Sequence, residues 1–120
     1  MGRLKPEFLE RVEDFANRVV KVSLTLSSQR RPSRIIDQLI GSGTSVGANA
    51  FEADESMSRA DFRKCLAITA KELAETRFWL RLIARQAWID PKRLEPLDQE
   101  CMELRKIVGT ILKRTRPEGR

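Results

Sequence analysis

The sequence contains no histidine and no tyrosine, and it has only two cysteines, Cys65 and Cys101. Without histidine it lacks the residue that most often serves as a general base and as a metal ligand. Two cysteines are too few for a zinc site. We therefore expect no metal, no cofactor and no catalytic centre, and we predict that the protein is not an enzyme.

Long apolar runs are also missing, and so is a signal-peptide segment. The protein is therefore expected to have no membrane association and to be cytoplasmic. Its 120 residues include only six glycines and five prolines, while 33% of them are charged. This composition is typical of long helices, and the length predicts a single domain covering residues 1–120.

What the sequence does contain is apolar residues spaced by three and four, the period of an amphipathic helix. The spacing predicts helices over about 6–26, 34–53, 59–87 and 91–114. The first seam is Phe8, Val12, Phe15, Val19, Val22 and Leu26. The third is Phe62, Cys65, Thr69, Leu73, Thr76, Leu80, Ile83 and Ala87. Short connections between the four helices predict an all-α fold, an antiparallel up-down-up-down four-helix bundle.

Three helix starts can be read from capping residues. Ser33 follows Pro32 and is a candidate N-cap for the second helix. Ser58 precedes Asp61 by three residues, which resembles a capping box at the start of the third helix. Asp90 is the predicted N-cap of the fourth helix.

Gly41, Gly43 and Gly47 lie inside the predicted second helix, where each costs roughly 1 kcal/mol relative to alanine. One interpretation is a loop that divides the segment into two shorter elements. The other, which the helical spacing around them favours, is close contact with another helix. The run GSGTSVG is not a phosphate-binding loop, because it lacks the required lysine and the preceding strand.

The net charge of +6 indicates either a polyanionic partner or simply a solvated basic surface. In the predicted topology the basic residues concentrate at the two ends of the bundle. Such clusters suit contacts to nucleic-acid phosphates, which contribute affinity without reading sequence. The residues predicted to bind RNA or DNA are Arg30, Arg31, Arg34, Arg59, Arg63 and Lys64.

Large aromatic residues lie off the third helical seam. Trp88 is expected to pack under the turn between the third and fourth helices. Outer aromatics are also typical of contacts between subunits. The residues predicted to form an oligomer interface are Gly47, Phe51, Phe78 and Trp79.

One part of the chain resembles a known family. The matching positions are residues 45–49 (SVGAN), Glu52, Ser58, residues 61–62, residues 68–76 (ITAKELAET) and residues 79–80. In this pattern the chain resembles the bacterial four-helix-bundle proteins encoded in intervening sequences of 23S ribosomal RNA genes, a group that includes the accessory variability proteins of diversity-generating retroelements. Ala53 departs from it, since many relatives have glycine there.

The resemblance implies a non-enzymatic bundle that assembles into a homopentamer. For the retroelement members it also implies binding to nucleic acid and to a reverse transcriptase through a basic surface. We therefore hypothesise a homo-oligomer that binds nucleic acid through phosphate contacts. The alternative is a protein-interaction scaffold that does not bind nucleic acid.

Overall fold

The computed structural model describes residues 2–117. Its helices are α1 (Pro6–Ser28), α2 (Ser33–Asp54), α3 (Arg59–Gln86) and α4 (Pro91–Arg114). Each end lies within two residues of the predicted one, and no strand occurs in residues 2–117. The prediction of an all-α four-helix bundle is therefore confirmed.

Consecutive helices run antiparallel and pack side by side, α1 on α2, α2 on α3 and α3 on α4. The fourth side of the bundle, between α1 and α4, has the fewest contacts. The bundle measures 49 × 24 × 22 Å, so its two ends are separated by the length of a helix.

The core is aliphatic with a few phenylalanines. Three residues of the predicted seams are not part of it: Val22 in α1, Cys65 in α3, and Ala87, which is exposed and follows the end of α3. In α1 the residue after Val19 that is buried is Ser23, and Val22 is only half-buried. The Ser23 hydroxyl donates to the Val19 carbonyl oxygen at 3.0 Å, which satisfies its hydrogen-bonding need. In α3 Leu66 occupies the core, and Cys65 is half-buried beside it.

Two of the three predicted caps are confirmed. The Ser58 hydroxyl accepts from the Asp61 backbone N–H at 3.0 Å, and the Asp90 carboxylate accepts from the Lys92 N–H at 3.0 Å. The prediction for Ser33 is wrong, because Ser33 is already helical and Pro32 precedes it as the N-cap residue. Proline provides no capping side chain, so α2 starts without one.

The glycine-containing segment forms one uninterrupted helix, which excludes the loop interpretation. Gly43 and Gly47 are buried against α1, as close helix contact requires. Gly41 differs, because it is exposed and a Cβ atom there would have no neighbour within 4 Å. None of the helices within residues 2–117 has the length and apolar character to cross a bilayer.

Candidate nucleic-acid interface

The six residues predicted to bind nucleic acid fall into two groups at opposite ends of the bundle. Arg30, Arg31 and Arg34 lie at the connection between α1 and α2. The other three, Arg59, Arg63 and Lys64, lie at the start of α3. Because the bundle is 49 Å long, the two groups are separate surfaces.

The first group belongs to a larger basic surface, because the antiparallel topology brings the α3–α4 connection to the same end. The basic residues of this surface, here named the arginine end, are Arg30, Arg31, Arg34, Arg85, Lys92 and Arg93. Their side chains take part in none of the ion pairs found in residues 2–117. Their positive charge is therefore available to an anionic partner.

Trp88 fixes the two connections of the arginine end to each other. The Gln29 side-chain amide donates to the Trp88 carbonyl oxygen at 3.1 Å. The Arg31 guanidinium lies over the Trp88 ring, 5.2 Å from its centroid, and its Nε donates to the Gln29 Oε1 at 2.9 Å. Arg31 is thus held in one orientation by cation–π and hydrogen-bonding contacts.

The helices α1 and α3 both finish at this end with the same hydrogen-bond pattern, a Schellman motif. In α1 the Arg31 N–H donates to the Leu26 carbonyl and the Arg30 N–H to the Ser27 carbonyl, both at 3.0 Å. The residue in the left-handed conformation is Arg30, with φ of 57°. Glycine is the usual residue in this conformation, since a Cβ atom costs roughly 1–2 kcal/mol there.

The corresponding motif in α3 has Ala87 in the left-handed position, with φ of 55°. The Trp88 N–H donates to the Ile83 carbonyl at 3.3 Å, and the Ala87 N–H donates to the Ala84 carbonyl at 3.0 Å. The two connections are therefore both tight, and both place a non-glycine residue where glycine is favoured.

At the opposite end of the bundle, the three predicted residues at the start of α3 are less suited to binding an anion. Arg63 donates to the Leu112 carbonyl and, at 2.8 Å, to the Thr115 hydroxyl, so it closes the C-terminus of α4. Four acidic residues share this end with the basic ones. They are Glu52, Asp54, Glu55 and Asp61. We name it the mixed-charge end.

Of the four residues predicted to form an oligomer interface, two are adjacent. The Phe78 and Trp79 rings meet edge-on with centroids 4.9 Å apart, and Trp79 Nε1 donates to Glu75 at 3.3 Å. Phe51 lies on α2 and is 43% exposed, while Phe78 is 57% exposed. Gly47 faces the interior, with Ala16 of α1 3.9 Å from where its Cβ would be.

Neither thiol is activated as a nucleophile. Burial raises the pKa of Cys101 to about 12, and its Sγ donates to the Leu73 carbonyl at 3.0 Å. Burial and the neighbouring Glu52 carboxylate also raise the pKa of Cys65. Thiols with a raised pKa contain little thiolate at neutral pH, so they act as small apolar residues.

Sequence reasoning identified the basic residues of the arginine end but missed how they are held. Trp88 was expected only to pack under a turn, and it does lie half-buried there. Its contact with Arg31 joins two connections that are far apart in the sequence, and no local pattern indicates such a pair. The role of Arg63 in closing α4 was missed for the same reason.

Comparison with known proteins finds a matching family model and matching solved structures. A family model described as 23S rRNA-intervening sequence protein matches residues 5–110. A crystal structure of a protein with unknown function from the S23 ribosomal protein family of Bacteroides thetaiotaomicron has a TM-score of 0.85 and 34% sequence identity, covering 88% of this chain and 98% of that one. None of the curated proteins matches the chain.

Proposed function

Because the chain belongs to the 23S rRNA-intervening sequence protein family, we propose that it is a non-enzymatic helical bundle that forms a homo-oligomer, a pentamer, and binds RNA or DNA through the phosphates. The arginine end is the surface proposed to make these contacts. Its six basic side chains lie on two connections that the Gln29, Arg31 and Trp88 contacts hold together.

The observation that carries this proposal is the conformation of Arg30. A residue in the left-handed region lowers stability relative to glycine, and of the two residues in this conformation within residues 2–117, Arg30 and Ala87, only Arg30 adds a charge there. Arg30 is exposed, and it lies next to Arg31, whose guanidinium is already fixed against Trp88. Two adjacent cations at the tip of a rigid turn suit neighbouring phosphates of a nucleic-acid strand.

Binding of this kind depends strongly on salt and little on base sequence. If each of the six cations neutralises one phosphate of a single strand, the logarithm of the association constant falls with the logarithm of salt concentration with a slope of about −4. Base-specific recognition is not part of the proposal, because Trp88 is half-buried and its ring is covered by Arg31.

The decisive variant is Arg30→Gly, because it removes a charge while relieving the left-handed strain. Fluorescence anisotropy with RNA and DNA oligonucleotides should show affinity lowered about fivefold, with a salt slope smaller by roughly one unit. Thermal unfolding should show a protein at least as stable as the wild type, which excludes misfolding as the cause.

The matched control is Lys71→Ala, which removes an exposed charge from the middle of α3, away from both ends. It should leave affinity nearly unchanged. Equal losses from Arg30→Gly and Lys71→Ala would mean that only net charge matters, and the arginine end would then have no particular role.

The second candidate function is a protein-interaction scaffold, which the exposed rings of Phe51 and Phe78 favour. In that case these rings contact sister subunits or another protein, such as the reverse transcriptase implied for retroelement members. Light scattering measures the oligomer, and a monomer at high concentration contradicts both candidates. An oligomer that gives no shift with RNA or DNA at micromolar concentration and low salt supports the scaffold.

A further inference from the structure

A groove of about 400 Å³ lies at the mixed-charge end, between the start of α1 and the end of α4. This is the side of the bundle on which the two helices have the fewest contacts. The floor of the groove is apolar. It consists of Leu4, Phe8, Ile107 and Ile111.

Basic side chains form both rims of this groove. On the α1 side they are Arg3 and Lys5, and on the α4 side Lys106 and Arg114. Lys5 and Lys106 are exposed and belong to no ion pair among the residues that the structure describes. No acidic side chain from the described part of the chain lines the groove.

The walls of the groove are fixed by contacts on either side of it. At the end of the bundle, the Leu4 N–H donates to the Asp54 carboxylate at 2.7 Å, and Arg3 Nε donates to the Ser56 carbonyl at 2.9 Å. On the other side of the groove, further along α1, Arg11 donates two hydrogen bonds to Glu100, at 3.0 and 2.7 Å, and so joins α1 to α4. The groove is therefore formed before any partner binds.

We propose that this groove binds an acidic amphipathic helix of a partner protein. The α4 wall extends from Lys106 to Arg114, which at the rise of an α-helix is about 12 Å or two turns. That length accommodates apolar side chains at i, i+3 or i+4, and i+7 of a bound helix. Acidic residues on either side of that apolar stripe then face the cations of both rims.

Charge and apolarity together select this occupant over others. A nucleic-acid backbone would satisfy the rims but would leave Ile107 and Ile111 uncovered. Small-molecule sites usually surround most of their ligand, whereas Lys5, Lys106, Thr110 and Arg114 are exposed to solvent. The groove uses none of the residues of the arginine end, so this inference is independent of the proposed nucleic-acid binding.

The test uses the full chain and a fluorescent peptide of about 18 residues, long enough to form a helix. Leucines occupy positions i, i+3, i+4 and i+7 of this peptide, and glutamates flank the leucine stripe on both sides. A scrambled peptide of equal composition lacks this spacing. Anisotropy should show binding of the patterned peptide only. Lys106→Glu should weaken it about tenfold, because it reverses a rim charge.

Two further variants separate the groove from general charge effects. Arg105→Glu reverses an exposed charge on the neighbouring position of α4, which does not line the groove, and it should change affinity much less. Thr110→Trp fills the groove from an exposed position and should abolish binding. Circular dichroism verifies that each variant is folded.

Several outcomes would overturn the inference. These are equal binding of the scrambled peptide, no loss with Lys106→Glu, and displacement of the peptide by an RNA oligonucleotide. If the peptide binds only after the oligomer is diluted to monomers, a second copy of this chain occupies the groove instead. Arg30→Gly should not affect peptide binding, so failure here and failure of nucleic-acid binding can be told apart.

Discussion

Helix α1 packs closely against α2 and loosely against α4. On the α2 side, Gly43 and Gly47 present no side chain, so the two backbones approach each other. On the α4 side the Arg11–Glu100 ion pair joins the two helices, and an apolar groove is open between the start of α1 and the end of α4. Helix α1 therefore packs against α2 without a gap, whereas its packing against α4 leaves an open groove.

The difference shows what small residues do in this bundle. Close backbone contact gains dispersion energy but leaves no room for a larger side chain. A looser contact between large apolar residues tolerates substitutions, and part of its apolar area remains exposed to solvent. The tight side of α1 contributes to stability and the proposed binding groove lies on the other side, so substitutions on the two sides should have different effects.

The largest effect is expected for Gly43→Ala. A Cβ atom there would lie 2.5 Å from Val19 Cγ1 and 2.9 Å from both Val19 Cβ and Cγ2. Val19 is fully buried and β-branched, so it cannot move aside. We expect a loss of about 1–3 kcal/mol in the free energy of unfolding, measured by urea denaturation.

The control for Gly43→Ala is Gly47→Ala in the same interface. Its Cβ would meet the Val12 carbonyl oxygen at 3.8 Å and Ala16 Cβ at 3.9 Å, which are ordinary contacts. The protein should remain at least as stable as the wild type. In a Val19→Ala background, which is itself less stable, Gly43→Ala should cost less than it does in the wild type, and an equal cost in both backgrounds would place the strain elsewhere.

Gly41→Ala is expected to stabilise the protein, in contrast to Gly43→Ala. Gly41 is on the exposed face of α2, with no atom within 4 Å of a Cβ placed there. The substitution should raise the free energy of unfolding by about 0.5–1 kcal/mol, because alanine is the better helix former. A destabilised Gly41→Ala protein would show that this face is covered, for example by another subunit.

A smaller effect is expected on the loose side. Glu100→Gln keeps the side-chain volume but weakens the bidentate contact with Arg11, whose side chain is 38% exposed. Solvent screening limits the loss to about 0.5 kcal/mol. Glu103→Gln is the control, since its contact with Arg11 is 4.0 Å long and more exposed. A loss as large as that of Gly43→Ala would contradict the proposed difference between the two sides.

The helices were predictable because apolar spacing and caps such as Ser58 and Asp90 are local signals. The errors came from positions that two interpretations fit equally well. Cys65 and Leu66 both continue the spacing after Phe62, and only packing selects the leucine. Likewise Ser33 could cap α2 or begin it, and the structure begins the helix there.

The candidate site was predictable in composition but not in geometry. The arginines of the α1–α2 connection are visible in the sequence, and the predicted topology places basic residues at both ends of the bundle. The left-handed conformation of Arg30 was not predictable, because that position usually contains glycine. The groove between α1 and α4 was also missed, since it depends on how far two helices separate.

Both connections at the arginine end are closed by backbone hydrogen bonds before any ligand arrives. A flexible loop loses conformational freedom when it binds, and this loss subtracts from affinity. In the two Schellman motifs, the backbone has already lost this conformational freedom during folding. If a polyanion binds at this end as proposed, its association requires ordering of side chains only, and less affinity is lost to that ordering.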